Sequence, residues 1–293
     1  MKIVMCNGGL GNQTFQYIFA RYLELKSREE VWLDDSIFFI SKQHNGFEIP
    51  RVFPNSKVRL LSSFFDEDVW EYMISNCVKR IGICQQLKDA GEDITMIAET
   101  DDFSFDGNIV YVPTNEYLPF VAAAKGNIYY HGYWINRDWL KGKYWSILKD
   151  ELQFAPLQDE RNKKYERQMR DTMSASLHIR RGDFVKFGWA SPLQEYAQAV
   201  TVVKNKYPDV HIFLFSDDMQ FCKEHLSEIG ITSENDVTFV EGNSGTESYK
   251  DMQLMTKCKI NILVGGSSFS YLAALLNSMD ESVCIRKTGS REV

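Results

Sequence analysis

The second half of the chain alternates between apolar runs and helical patterns, and this alternation limits the folds available to it. Five runs predict strands: SASLHIR, VHIFLFS, VTFVEG, INILVGG and SVCIRK. The segments between them have helical spacing, as in PLQEYAQAVTVVKNKY and SSFSYLAALLN. Strands that alternate with helices of this length imply a parallel sheet with helices on its faces. The sequence therefore predicts an α/β protein.

The first half opens with a unit of the same kind. KIVMC (2–6) predicts a strand, NGGLGNQ a glycine-rich turn, and TFQYIFARYLELKSR a helix. EVWLDD and NIYYHGYWIN (127–136) predict further strands, whereas residues 37–110 show no clear order. The polar segment 155–171 marks a junction, so we expect two domains, 1–155 and 156–293.

Charge, cysteines and hydropathy exclude several classes of protein. The net charge of −7 provides no general attraction for nucleic acid. The six cysteines form no C-x-x-C pair and are typical of reduced core residues in a cytoplasmic protein. No apolar stretch is long enough to span a membrane, and MKIVMC is too short for a signal sequence. We expect a cytoplasmic protein without a transmembrane segment, and peripheral association with a membrane stays open.

HIRRGDF, residues 178 to 184, follows a predicted strand, and ligands of open α/β sheets bind beyond the carboxyl ends of the strands. Arg180 and Arg181 present planar groups suited to phosphate oxygens, and on an extended chain they point to opposite sides. His178 shares a face with Arg180. Two alternatives remain: one arginine pairs with Asp183 as a structural salt bridge, and His178 is a core histidine.

Two glycine-rich segments add to this hypothesis. GGSSFS opens a helix, and a helix amino terminus binds anions, although an ordinary serine cap is the alternative. Together with the arginines it indicates a diphosphate, and hence a nucleotide-type ligand. GGLGNQ lacks the G-x-G-x-x-G spacing and the lysine of a P-loop. It still allows a close backbone approach and offers the amides of Asn12 and Gln13.

Sequence signals for metal or covalent chemistry are weak. DED (66–68) matches a D-x-D pattern, but no strong apolar strand precedes it, and a charged surface explains it better. Asp217-Asp218 suits a metal, a base edge or a helix cap equally well. No cluster has zinc spacing, and no motif indicates a covalent nucleophile.

Four motifs in order resemble glycosyltransferase family eleven, the α-1,2-fucosyltransferases, in its bacterial form. They are GGLGNQTFQYIFARYLE, HIRRGDF, FSDDMQFCKEHL and SSFSYLAALLN, and the similarity runs from residue 3 to about residue 278. Three positions depart from the usual family pattern. Gly266 replaces an Asn, Tyr271-Leu272 replace two tryptophans, and Thr14 replaces a Met.

The resemblance implies a fold and a reaction. The fold is GT-B type, α/β with two Rossmann-like domains facing across a cleft. Residues 1–155 would form the acceptor side, and residues 156–293 would bind GDP-L-fucose. The reaction would invert the fucose anomeric carbon, need no cofactor and no metal, and add fucose to the 2-hydroxyl of a terminal β-galactoside such as lactose.

The resemblance also assigns residues. Arg180 matches the arginine on the donor β-phosphate, where the departing diphosphate gains charge, Asp183 is a candidate base, and Asn12 could only orient a substrate. The expected donor-binding residues are Gly9, Gly11, Gln13, His178, Arg180, Arg181, Asp217, Asp218, Ser267, Ser268 and Phe269. Two other functions remain: a GDP-fucose-dependent enzyme of another specificity, α-1,6 or protein O-linked, and a non-catalytic nucleotide-sugar or glycan-binding domain.

Overall fold

The computed structural model describes residues 1–77, 82–277, 279 and 283–286, the last four as backbone only. The chain divides into two compact units, Met1–Ala155 and Pro156–Val293. The division falls at the start of the polar segment that the sequence marks as a junction.

The first unit contains a five-stranded parallel sheet in the order β2-β1-β5-β3-β4. Its strands are β1 Lys2–Met5, β2 Val31–Asp34, β3 Ile94–Ala98, β4 Asn108–Tyr111 and β5 Asn127–His131. Strands β3 and β4 belong to the region that showed no clear order in the sequence. The helices are α1 Leu10–Ser27, α2 Ile37–Ile40, α3 Ile49–Val52, α4 Glu67–Ser75, α5 Gly82–Asp89, α6 Pro119–Ala123 and α7 Trp145–Glu151.

The predicted helix is confirmed as α1, but it begins at Leu10, inside the segment NGGLGNQ that was predicted as a turn. Phe15, Ile18 and Phe19 on its apolar face are fully buried. The Phe19 ring stacks on Trp134, with 4.3 Å between ring centroids. Burial of these large side chains fixes the amino terminus of α1 at the carboxyl end of β1.

The second unit contains another five-stranded parallel sheet, in the order β10-β9-β6-β7-β8. Its strands are β6 Ser174–Ile179, β7 His211–Ser216, β8 Val237–Phe239, β9 Ile260–Leu263 and β10 Val283–Arg286. The helices are α8 Glu160–Asp171, α9 Gly182–Lys186, α10 Leu193–Lys206, α11 Met219–Glu224, α12 Tyr249–Met255 and α13 Ser268–Leu275. The predicted parallel sheet with alternating helices is confirmed.

Strand β6 lies in the middle of this second sheet and is buried along its whole length. Its apolar neighbours include Val200 and Val203 of α10 and Leu214 of β7. A central parallel strand is covered by helices on both faces, so the chain becomes accessible only where the strand ends. That point is Arg180.

The cysteines and the surface charges agree with the sequence predictions. Cys6, Cys77, Cys84, Cys222 and Cys258 are free and buried, and the Cys284 side chain lies outside the described residues. DED (66–68) is exposed at the start of α4, as expected for charged surface. Within the described chain, no helix combines the length and the apolarity needed to cross a membrane.

Candidate active site

Strands β6 and β7 end side by side, which places the arginine motif next to the acidic pair. Ile179 is in register with Ser216. The Ser216 hydroxyl donates to the Ile179 carbonyl at 2.8 Å and accepts from the Asp218 amide at 3.0 Å. These bonds fix both chain segments at the carboxyl edge of the second sheet.

Arg180 is held by two carboxylates. Its Nη2 lies 2.7 Å from Asp183 Oδ1, and its Nη1 lies 2.7 Å from Asp217 Oδ2. The guanidinium carbon is 5.7 Å from the centroid of the Phe184 ring. The side chain keeps 29% of its surface exposed. Because guanidinium has five N–H donors, Arg180 retains donors for a ligand.

Arg181 has a separate set of partners, as expected for adjacent residues on an extended chain. Its Nε lies 3.0 Å from Asp218 Oδ2, and its guanidinium carbon lies 3.2 Å from the Phe221 ring centroid. Its backbone amide donates to Asp217 Oδ1 at 2.8 Å. The alternative that one arginine pairs with Asp183 is therefore realised by Arg180, whereas Arg181 is anchored on α11.

The charge balance at this edge is negative before any ligand binds. Three carboxylates, Asp183, Asp217 and Asp218, pair with two guanidinium groups, Arg180 and Arg181. An incoming diphosphate must therefore compete for Arg180 with carboxylates already bound to it. The first role of Asp217 and Asp218 in the structure is to hold the arginines, and their contact with guanine stays a prediction.

Gly182 is required by this arrangement. A Cβ atom at this position would lie 2.6 Å from Asp217 Oδ2. Any other residue would push Asp217 away from Arg180. The glycine of RRGD thus allows the acidic side chain of β7 to reach the arginine of β6.

His178 is buried beneath this edge, with 8% of its surface exposed. Burial lowers the pKa of its imidazole to about 4, with Asp217 opposing the shift and Arg180 adding to it. The ring is therefore neutral at pH 7 and supplies no charge for phosphate. Among the residues that the structure describes, its Nδ1 has no hydrogen-bond partner. His178 is thus a core residue, as in the alternative interpretation, but one whose polar atom is unsatisfied.

The His178 ring lies 5.4 Å from the ring of Phe269, centroid to centroid. Phe269 belongs to the first turn of α13. The structure therefore brings the arginine motif and the GGSSFS segment together, as the diphosphate hypothesis requires. Strands β6 and β9, which precede these segments, are neighbours in the sheet.

The glycine turn before α13 is tightly shaped. Gly265 has a φ of +73°, which favours glycine, and a Cβ there would collide with Ser191 Oγ. Gly266 is different, because a Cβ at this position would have no atom of the described residues within 4 Å. The family asparagine that Gly266 replaces would therefore find open space.

Ser267 is the residue that caps α13, but its side chain makes no capping hydrogen bond. The ordinary serine cap proposed as the alternative is therefore not formed. Ser268 is the first residue of the helix. The amides of a helix's first turn have no partner within the helix, which makes this turn suitable for an anion.

Asp251 is an acidic residue to which the sequence analysis gave no role. It lies in the first turn of α12 and accepts a hydrogen bond from Asn243 Nδ2 at 2.8 Å. Burial raises its pKa to about 7 despite this bond. Perturbed acids of this kind cluster at functional sites. Asp251 lies outside the four motifs that carry the family resemblance.

Two glutamines of the first unit, Gln43 and Gln13, form hydrogen bonds with the glycine turn that precedes α1. Gly8 has a φ of +76° and donates its amide to Gln43 Oε1 at 2.8 Å. Gln13 is fully buried, donates to the carbonyls of Gly8 and Gly46, and accepts from the Glu48 amide. The Gln13 amide is thus used within the protein, and the expectation that Gln13 binds the donor stays a prediction.

The other residues of this turn have varied surroundings. Gly9 precedes α1 and lies against the His44 ring, and Gly11 is buried in the first helical turn. Asn12 is partly exposed. Gln16, which carried no prediction, bonds to Asn7 and to the Gly132 carbonyl and so joins the ends of β1 and β5. The roles expected for Gly9, Gly11 and Asn12 stay predictions.

A second buried acid organises the carboxyl edge of the first sheet. Glu99 accepts hydrogen bonds from the amides of Asn115, Tyr133 and Trp134 at 2.6, 2.8 and 2.9 Å. Nearby, His131 Nε2 lies 3.3 Å from Asp102 Oδ1. Glu99 follows β3, which the sequence pattern did not reveal, so these groups escaped prediction.

Over the described ranges, no group of three or more His, Cys, Asp or Glu side chains is arranged to hold a metal ion. Asp217 and Asp218, the acidic pair that could suit a metal, are paired with arginines. That the reaction needs no metal stays a prediction.

Comparison with protein families decides between the broad classes. The model described as "Glycosyl transferase family 11" matches residues 113–292, which is more than half of the chain and includes the arginine motif and the GGSSFS turn. The chain belongs to glycosyl transferase family 11. The resemblance that the motifs indicated is therefore confirmed, and the protein is a glycosyltransferase of this family.

Two curated family relatives from Escherichia coli match nearly the whole chain. One is an alpha-1,2-colitosyltransferase, 27% identical over 98% of this chain and 92% of its own length. The other is the O-antigen biosynthesis glycosyltransferase WbnK, 24% identical over 95% of this chain and 91% of its own length. The human galactoside alpha-(1,2)-fucosyltransferase 1 is 29% identical over 36% of this chain and 29% of its own length.

The family 11 chain also shares its fold with a fucosyltransferase of known structure. NodZ from Bradyrhizobium matches with a TM-score of 0.51 at 15% identity, covering 94% of this chain and 92% of NodZ. At that identity the similarity shows the fold alone. The GT-B class that we predicted, α/β with two parallel-sheet units, is confirmed.

Proposed function

We propose that this family 11 protein transfers L-fucose from GDP-β-L-fucose to the 2-hydroxyl of a terminal β-galactoside, with inversion at the fucose anomeric carbon. The observation that supports the proposal most directly is the position of Arg180, which follows the carboxyl end of β6 and pairs with Asp183 and Asp217. The Gly265 turn follows β9, the neighbouring strand in the sheet. We also expect the protein to act in the cytoplasm.

The central step is the departure of GDP. The acceptor oxygen attacks the fucose anomeric carbon while the bond from that carbon to the β-phosphate oxygen breaks, and the electron pair leaves with GDP. Negative charge grows on the phosphate in the transition state. A guanidinium that Asp217 keeps oriented when phosphate displaces Asp183 stabilises that charge, and an interaction that strengthens in the transition state lowers the barrier.

The acceptor hydroxyl must lose its proton late in the same step. Asp183 is our candidate for the group that receives it, since its carboxylate is partly exposed and lies beside Arg180. A phosphate that takes over Arg180 would release Asp183 from its ion pair. Asn12, in the first unit, is kept as a proposed orienting residue.

A second donor follows from one of the relatives. The colitosyltransferase is similar over 98% of this chain, so GDP-colitose is the second candidate donor. Transfer through an α-1,6 linkage and transfer to a protein acceptor remain the alternatives for the specificity.

The decisive assay measures GDP release with each donor, with and without lactose and other galactosides. The proposal predicts that GDP-fucose with a β-galactoside gives the fastest release. Faster release with GDP-colitose would favour the second donor. Release of GDP from GDP-fucose with none of these galactosides would contradict the proposed donor and acceptor.

A further inference from the structure

An exposed aromatic cluster follows the arginine motif directly. It consists of Phe184, Phe187 and Trp189, which we call the aromatic platform. The Phe184 and Trp189 ring centroids are 5.8 Å apart, and those of Phe187 and Trp189 are 4.9 Å apart with 33° between the planes. Phe187 and Trp189 keep 60% and 64% of their surface exposed. Neither is needed to fill the core.

The platform is built into a defined turn. The Trp189 amide donates to the Phe184 carbonyl at 2.8 Å, and the Gly188 amide donates to the Val185 carbonyl at 3.2 Å. Gly188 has a φ of +71°, the conformation that lets the chain reverse after α9. The Trp189 ring is therefore presented by a hydrogen-bonded backbone.

The platform connects the two parts of the candidate phosphate site. At one end, the Phe184 ring lies 5.7 Å from the Arg180 guanidinium carbon. At the other end, Ser191 Oγ lies where it would collide with a Cβ on Gly265, and so beside the turn before α13. Exposed aromatic rings thus lie on the segment that joins the arginine to the anion-binding turn.

We propose that the Phe187 and Trp189 rings of the aromatic platform bind the apolar face of a pyranose ring of the acceptor glycan. The inference rests on the proposed function. A galactose ring exposes C–H groups at positions 3, 4 and 5 on one face and hydroxyls around its rim. Flat aromatic rings match the face, while Asp183 and Lys186 on the same segment are charged groups that can bond to the rim.

The surroundings of the platform favour a sugar over a membrane. Only two rings are well exposed, and charged residues, Arg180, Asp183 and Lys186, lie on the same short segment. Insertion into hydrocarbon would carry those charges out of water at high cost. A sugar leaves them hydrated. This places part of acceptor recognition in the second unit, beyond the 1–155 region expected to provide it.

The test separates acceptor binding from donor binding. Trp189→Ala should raise the acceptor KM for lactose by about tenfold or more, the usual cost of losing an aromatic contact. The KM for GDP-fucose and the slow release of GDP without acceptor should stay within about twofold of the wild type. Trp189→Phe, which keeps a ring, should recover most of the loss. Tyr72→Ala, which removes an equally exposed ring from the first unit, is the matched control.

Three results would overturn the inference. They are an unchanged lactose KM in Trp189→Ala, a rise confined to the GDP-fucose KM, and a loss of binding to phosphatidylglycerol-containing vesicles with the lactose KM unchanged. If the wild type releases no GDP from GDP-fucose, the proposed function fails independently. In that case, saturation-transfer NMR of lactose binding to the wild type and to Trp189→Ala, in the presence of GDP, still tests the aromatic platform. Equal lactose signals from the two proteins would overturn the inference. A lactose signal lost only in the variant would support it.

Discussion

Arg180 is positioned before a ligand arrives, because Asp183 and Asp217 bind its two terminal nitrogens and Phe184 lies beside its guanidinium. These ion pairs are partly exposed, and such pairs add little to stability. Their effect is on geometry: they orient a planar donor group at the strand end. An arginine whose only role is to stabilise the fold would contribute little free energy at this partly exposed position.

Arg180→Lys distinguishes a catalytic arginine from a structural one. Lysine keeps the charge but loses the planar pair of donors, so two-point contact with phosphate becomes one-point contact. We expect kcat to fall about a hundredfold, roughly 3 kcal/mol, with little change in melting temperature. Arg170→Lys, at an exposed arginine of α8, is the control. Near-normal kcat with a lowered melting temperature would show that Arg180 is structural.

Asp183→Asn tests whether this carboxylate competes with phosphate. The change removes a negative charge from Arg180, so GDP should bind about tenfold more tightly at low salt. If Asp183 also receives the acceptor proton, kcat should fall in the same variant. Calorimetry of GDP binding and steady-state kinetics measure the two effects separately. Unchanged or weaker GDP binding would contradict the competition.

His178 should make the protein sensitive to acid. Its pKa is about 4 in the folded chain, below the ordinary value of 6.5, so the unfolded chain binds more protons between these values. The stability that the neutral ring contributes is present above pH 6.5 and is lost as the pH falls through 4, about 3 kcal/mol in total. Urea unfolding from pH 7 to pH 4 should show a smaller loss for His178→Asn than for wild type. Equal losses would contradict the assignment.

At the scale of elements, the site depends on how two strand ends and one helix start are joined. Ser216 ties the end of β6 to the end of β7, and the rings of His178 and Phe269 connect β6 to α13. The Gly265 turn sets the direction in which α13 begins. The backbone conformation of this turn therefore determines the geometry of the site together with the side chains that would contact a ligand.

The adjacent glycines of this turn should respond differently to substitution. Gly265→Ala forces a residue with a Cβ into a left-handed conformation and into Ser191, so we expect a loss of about 1–3 kcal/mol and a melting temperature lower by several degrees. Gly266→Asn enters open space and should leave the melting temperature nearly unchanged. Thermal unfolding of both variants decides, and equal destabilisation would contradict the turn geometry described above.

Local patterns in the sequence predicted much of the molecule. Strand β6 could be predicted because a buried parallel strand is a continuous apolar run, and HIRR shows where it ends. Strand β4 could not, since it is an edge strand with mostly exposed side chains and carries little apolar signal. Strand β3 was missed although it is mostly buried. Contacts between residues distant in sequence also escaped prediction. Examples are the ion pair between Asp217 and Arg180 and the hydrogen bonds of Gln13 with Gly46 and Glu48. Such pairs depend on how strands are ordered, which local patterns do not encode.

At the scale of the whole molecule, we propose that this family 11 chain moves a sugar from a nucleoside diphosphate by single displacement, with a guanidinium rather than a metal at the leaving group. Single displacement inverts the anomeric carbon. A β-linked donor must then give an α-linked product.

The most direct test is NMR of the product formed from GDP-β-L-fucose and lactose in the presence of EDTA. We expect an α-linked fucose on the 2-position of galactose, formed at the same rate with and without the chelator. A β-linked product would contradict single displacement, and activity that is lost in EDTA and restored by Mn²⁺ or Mg²⁺ would contradict the role assigned to Arg180.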